Sequence, residues 1–185
     1  MAQYARPDAD DGTDGSWTDQ GGGTSLYAAI DETSADNATT FIQSTDGGSN
    51  DICIVRLSNI SAPGSGNVNI KYTALSEDNT GMGAPGVKFE LLEGSTVRGA
   101  AQTNSSVHGS SWTAYSYPTS GSLDVSSVSD WNDLKLRITM LTNSGSGMDT
   151  LKVTQAYLET PDAGGGGGST PIAAISMNTY RQMRN

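Results

Sequence analysis

"NVNIKYTALS" occupies residues 67–76, and its alternation decides the fold. Val68, Ile70, Tyr72 and Ala74 fall on one face of an extended chain, and Asn67, Asn69, Lys71 and Thr73 on the other. A period of two gives one packed face and one wet face, as in antiparallel sheets. "DLKLRITML" (133–141) repeats the pattern, with Leu134, Leu136, Ile138 and Met140 set against Lys135, Arg137 and Thr139.

Working outward, further strand-like runs follow one another closely. They are "SLYAAID" (25–31), "TTFIQST" (39–45), "DICIVRLS" (51–58), "VKFELLEG" (87–94), "TVRGAAQT" (96–103), "WTAYSYP" (112–118) and "LKVTQAYLE" (151–159). Turn-forming stretches such as "TDGGSND", "APGSGN", "NTGMGAPG" and "NSGSGMD" punctuate them. Many short strands with no helix between them predict an antiparallel β-sandwich of jelly-roll type. An immunoglobulin-like sandwich is the alternative, but the Cys–Trp–Cys spacing of that fold is missing.

Four segments are expected. Residues 1–24 are polar and glycine-rich and read as an extended arm, with Trp17 as its large anchor for a partner. Residues 25–161 hold the sandwich, 162–170 a Gly-rich linker, and 171–185 a short amphipathic docking peptide. In that peptide Pro171 suits the first helical position. Ile172, Ile175, Tyr180 and Met183 make its apolar side, and Arg181 and Arg184 suit the negative end of a helix dipole. So short a helix is marginal alone and needs a surface to fold on.

The 185 residues carry a net charge of −10, which speaks against direct nucleic-acid binding. Outside residues 171–185 the acids outnumber the bases 20 to 8, so a basic tail is attracted to acidic surfaces, a neighbouring copy included. No run approaches the roughly 18 apolar residues of a membrane span, and the start lacks the apolar core of a signal peptide. Synthesis and assembly in a cytoplasm are therefore expected. The sequons at Asn37, Asn59 and Asn104 are then chance matches in a Ser/Thr/Asn-rich chain.

Catalytic and metal chemistry finds little to work with. Cys53 lies in an apolar strand and reads as a buried, inert thiol. His108 is the one histidine, which excludes the common zinc sites, and no nucleophile elbow accompanies it. "DADDGTDG" (8–15) resembles a calcium loop at first sight. Counted from Asp8, however, position 5 is Gly12, position 6 is Thr13 and position 12 is Asp19, so the pattern fails. Asp31, Glu32, Glu77, Asp78, Glu90 and Glu93 are available for glycoside hydrolysis, but nothing in the sequence pairs them across a cleft. Trp112, Tyr115 and Tyr117 are weighed as a platform for sugar rings against core packing. Tyr115 and Tyr117 share one strand face, and Trp112 takes the other.

The front of the chain, "YARPDADDGTDGSWTDQGGGTSLYAAIDETSADNATTFIQS" (4–44), resembles the opening of virion structural proteins of tailed bacteriophages. The shared elements stand here as Arg6, Pro7, Asp10, Gly15, Trp17, Leu26, Tyr27, Ile30, Asp31 and Glu32. The resemblance implies a non-enzymatic virion component without cofactor or metal, assembled in the host cytoplasm. A capsid decoration or cement protein comes first, and a tail, collar or fibre accessory second. Its expected partners are the major capsid protein and then tail or collar proteins, in many copies. A homo-oligomer and a host glycan are further candidates, whereas nucleic acid and membrane are not. A carbohydrate-binding adhesin on the same sandwich is the alternative function.

Overall fold

The computed structural model describes residues 1–14, 16–37, 39–45, 51–77, 85–105, 107, 111–141 and 150–163. Eleven strands are described: β1 Ala2–Ala5, β2 Pro7–Asp14, β3 Thr18–Asp19, β4 Ile42–Thr45, β5 Ile52–Leu57 and β6 Asn69–Glu77. They continue as β7 Gly86–Glu93, β8 Thr96–Asn104, β9 Thr113–Tyr117, β10 Leu134–Leu141 and β11 Thr150–Pro161. One sheet runs β3-β4-β11-β6-β9, with β1 also on β11, and the other runs β2-β5-β10-β7-β8. Every pairing is antiparallel.

From β4 onward the chain changes sheet at each connection except the β7–β8 hairpin. The result is two interleaved sheets, the jelly-roll form of the antiparallel sandwich that the alternation of β6 and β10 predicts. Ile70, Tyr72 and Ala74 of β6 face Leu136 and Ile138 of β10 and Phe89 and Leu91 of β7 in one continuous core. Tyr72 stacks on Tyr115 at 4.9 Å and on Tyr117 at 5.9 Å, and its ring meets Phe89 of the other sheet at 4.4 Å. Two of the three aromatics weighed as a sugar platform are thus committed to the packing between the sheets.

Two expectations need correction. Residues 25–31 form no strand; Tyr27–Ala29 is a 3-10 helix. Leu26, Ala29 and Ile30 are buried while Ala28 is exposed; a helical turn brings the adjacent Ala29 and Ile30 to one side, whereas a strand would point them to opposite faces. Nor do residues 1–24 stand off as an arm. β1 completes one sheet and β2 the other, with Ala5 fully buried. Trp17, expected as an anchor for a partner, is 3% exposed and donates its indole N–H to the Asp51 carbonyl at 2.9 Å. It fastens the N-terminal strands to their own sandwich. The segment looks unlike a strand in sequence because β2 is an edge strand with two irregularities in its register, and aspartates suit such an edge.

Candidate functional site

On β6 the core takes Ile70, Tyr72, Ala74 and Ser76, so Asn69, Lys71, Thr73, Leu75 and Glu77 look outward. β11 lies beside it with Lys152 opposite Leu75, Gln155 opposite Thr73, Tyr157 opposite Lys71 and Glu159 opposite Asn69. A register shift between Val153 and Gln155 keeps Lys152, Gln155, Tyr157 and Glu159 on that one outer face. Without it, the residues beyond Val153 would exchange core and surface.

Phe41 precedes β4 at one side of this face, and Trp112 precedes β9 at the other. Ile42 and Thr113 start the inward rows of those strands, which turns Phe41 and Trp112 outward. Their rings meet over β11 and β6, with centroids 5.8 Å apart and planes tilted by 50°. Leu75, in the row beneath, is accordingly nearly buried. Lys152 Nζ sits 5.2 Å from the Phe41 ring centre and pairs with Glu77 Oε1. Both rings are half-buried, and the Trp112 indole N–H has no partner among the described residues. A half-exposed indole N–H beside an apolar ring suits a ligand with one apolar and one hydroxylated side.

Further along the same face Tyr4 and Tyr157 meet edge to face at 5.8 Å, and the Arg6 guanidinium lies 4.5 Å from the Tyr157 ring centre. Lys71 Nζ pairs with Glu159 Oε2 at 3.1 Å. Burial, with Glu159 nearby, pushes the Tyr157 hydroxyl above the ordinary phenol range, so it stays a donor. The face therefore alternates aromatic rings with neutralised ion pairs and with hydroxyl or amide side chains such as Gln43, Thr73 and Ser116.

The residues that carry the resemblance form a structural unit instead of a site. Asp10 accepts from the Leu26 and Tyr27 amides at 3.2 and 2.8 Å and so starts the 3-10 helix. Arg6 donates to the Glu32 carbonyl, which also accepts from Gln155 Nε2 at 2.7 Å. The Glu32 carboxylate takes the Thr40 hydroxyl and lies against Asp36. Burial raises the Glu32 carboxyl above its ordinary range. Asp36 is lowered: burial opposes ionisation there, but bonds from Thr40 and Thr154 outweigh it.

The other carboxylates considered for catalysis are scattered. Glu90 pairs with Arg137 at 2.8 Å and Lys88 at 3.2 Å on the other sheet, and Glu93 takes Ser129, Asp130 and Arg98. Asp11 of "DADDGTDG" pairs with Lys135 at 2.7 Å. Among the described residues no three acids, histidines or cysteines converge on a metal position. Cys53 is fully buried, and burial pushes its thiol up to about 12. His108, Asp78 and the tail residues Ile172, Ile175, Tyr180, Arg181, Met183 and Arg184 lie outside the described residues.

Trp112 was thus visible in the sequence as a candidate, whereas Phe41 was not. Phe41 sits in an ordinary strand-like run, and its meeting with Trp112 is set by the sheet order.

No family model matches the chain, and no curated protein matches it. Among solved structures, a family 11 carbohydrate-binding module from Clostridium thermocellum, in complex with a β-1,3-1,4-mixed-linked tetrasaccharide, is similar at TM-score 0.42. Identity is 13%, and the match covers 88% of either chain. At that level of similarity the ligand of the module does not transfer to this chain.

Proposed function

We propose that this protein is a non-enzymatic attachment component of a phage virion, and that the outer face of its six-stranded sheet holds carbohydrate. The observation that carries the carbohydrate part is the Phe41–Trp112 pair with its unpartnered indole N–H. A pyranose has an apolar C–H face for an aromatic ring and a rim of hydroxyls for polar neighbours. Gln43 and the Lys152–Glu77 pair supply such neighbours within the same row. A protein partner fits this face less well, because protein interfaces are built on a central cluster of adjoining apolar anchors. Here the rings stand in separate pairs with polar side chains between them. Turnover is not part of the proposal, since Glu77 and Glu159 on this face are each held by a lysine.

The virion part draws on the pattern running from Arg6 to Glu32. Its residues interlock the two edge strands, the 3-10 helix and the core, as a shared fold signature would. A capsid decoration protein holding the same face against capsid protein is the second reading, favoured by the excess of acids over bases, which suits attachment to a basic neighbour.

A glycan array probed with wild type, Phe41→Ala and Trp112→Ala proteins tests the carbohydrate part. Binding by wild type to a restricted set of glycans, weakened at least about tenfold in both variants, is expected. Sedimentation of stripped particles with the protein tests the second reading; saturable binding weakened by Trp112→Ala, with an empty array, would favour it.

A further inference from the structure

Beside Phe41, away from Trp112, the surface opens into a cavity of about 410 Å³. Its size falls within the range of small-molecule sites. Phe41 forms an aromatic wall, Ala28 contributes small apolar surface, and Asp19, Gln20, Ser25 and Thr40 bring polar atoms. The side chains of Gln20 and Ser25 have no hydrogen-bond partner among the described residues.

Asp19 is the most strongly positioned of these groups. Its Oδ1 accepts from the Gly21 and Gly23 amides, both at 2.8 Å. The loop closes on itself through Asp19 N to Gly23 O at 3.0 Å and Gly22 N to Asp19 O at 2.9 Å. A Cβ at Gly23 would come within 2.5 Å of Asp19 Oδ2, so the absence of a side chain there lets the carboxylate adopt this pose. Oδ2 itself receives no hydrogen bond among the described residues, and no lysine or arginine pairs with it there. A fixed carboxylate with one oxygen satisfied and one open is an acceptor for neighbouring hydroxyl donors. It also repels a ligand carboxylate, and the net charge of −10 adds to that repulsion.

We propose that this cavity is a chain-end subsite for one neutral terminal pyranose, with Asp19 accepting from its hydroxyls and Phe41 packed against its ring. The proposal rests on the carbohydrate reading of the adjoining face and deepens it. The glycan crosses the sheet from Trp112 toward Phe41 and ends in the cavity, so this protein reads chain termini. Sialylated and uronic acid ends are rejected.

The test uses the full chain and a panel of linear hexaoses of glucose, mannose and galactose. Each is supplied native and with its non-reducing terminal sugar capped as the 4,6-O-ethylidene derivative. Calorimetric affinities are compared for wild type, Ala28→Trp, Asp19→Asn and Trp112→Ala. Ala28 is exposed, so a larger side chain there fills the cavity without entering the core. Thermal melts confirm that all variants fold. Capping and Ala28→Trp are each expected to weaken the binding of at least one hexaose about tenfold or more. Asp19→Asn is expected to weaken it too, and an unchanged affinity would overturn the part given to Asp19. Binding lost in Trp112→Ala but indifferent to the cap and to Ala28→Trp would overturn the chain-end subsite and leave the carbohydrate reading intact. No binding of any hexaose, or binding indifferent to Trp112→Ala, would overturn both.

Discussion

Single residues show where polar sequence has been put to structural use. Glu93 is held by the Ser129 hydroxyl first, and then by the Asp130 and Ser129 amides and Arg98, which together lower its carboxyl to about 2 from 4.5. A depressed carboxyl contributes stability above its unfolded value, and that contribution fades as pH falls toward the folded one. Asp36, Asp51 and Asp124 shift in the same direction, whereas the raised Glu32 acts oppositely. Thermal melts at pH 7 and pH 3 should therefore show a marked loss for wild type. Glu93→Gln should show a smaller loss, because its contribution is already gone at pH 7. Equal losses would show that Glu93 has no such part in acid stability. Trp17→Ala removes a buried indole and one of the two hydrogen bonds to the Asp51 carbonyl, which keeps the Met140 amide, so it should cost about 3–5 kcal/mol in a urea melt. A cost below about 1 kcal/mol would mean that Trp17 is not the anchor described here.

Strands separate what alternation can reveal from what it cannot. Leu136 is fully buried, and Leu136→Asp should destabilise by several kcal/mol. The same period places Arg137 on the wet side and suggests that it is dispensable. Its guanidinium in fact sits 2.8 Å from Glu90, which is only 8% exposed. Arg137→Asp sets a second carboxylate against a nearly buried one and should cost clearly more than Arg137→Ala, which leaves Lys88 on Glu90. Urea melts giving equal costs for these two substitutions would contradict the pairing. Gly99 in β8 has φ of +70°, and a Cβ there would lie 2.4 Å from the Asp124 carbonyl. Gly99→Ala should cost more than about 1 kcal/mol, read in the same melts.

The elements legible in sequence are those whose neighbours repeat the same alternation, as β6 and β10 do. β2 was hidden because its edge position lets aspartates stand where a central strand would need apolar residues. The 3-10 helix was hidden because "SLYAAID" satisfies a strand template while its cap, Asp10, lies 16 residues away from Leu26.

At the scale of the molecule, the N-terminal strands and the C-terminal strand close the sandwich together. Tyr4 pairs with Glu159 and Ala5 with Leu158, while β2 covers β5 on the other sheet. Deleting residues 1–24 should therefore abolish cooperative unfolding instead of trimming a loose end. A truncated chain with a wild-type melt by circular dichroism would restore the arm picture. The outer face is likewise a property of the whole: Phe41 and Trp112 lie 71 residues apart in sequence and meet only because β11 and β6 lie between β4 and β9. Trp112 could be singled out beforehand as an aromatic on the face opposite Tyr115, but the partner ring and the cavity beside it depend on the assembled sheet.

If the outer face of the six-stranded sheet holds carbohydrate, chemical-shift mapping on labelled protein will register the ligand there. Titration with a glycan that binds on the array is predicted to shift the Trp112 indole N–H and the amides of Phe41, Gln43, Lys152 and Thr73 together, in saturable fashion. Shifts confined to the opposite sheet around Arg137 and Glu90, or no saturable shift at all, would contradict that reading.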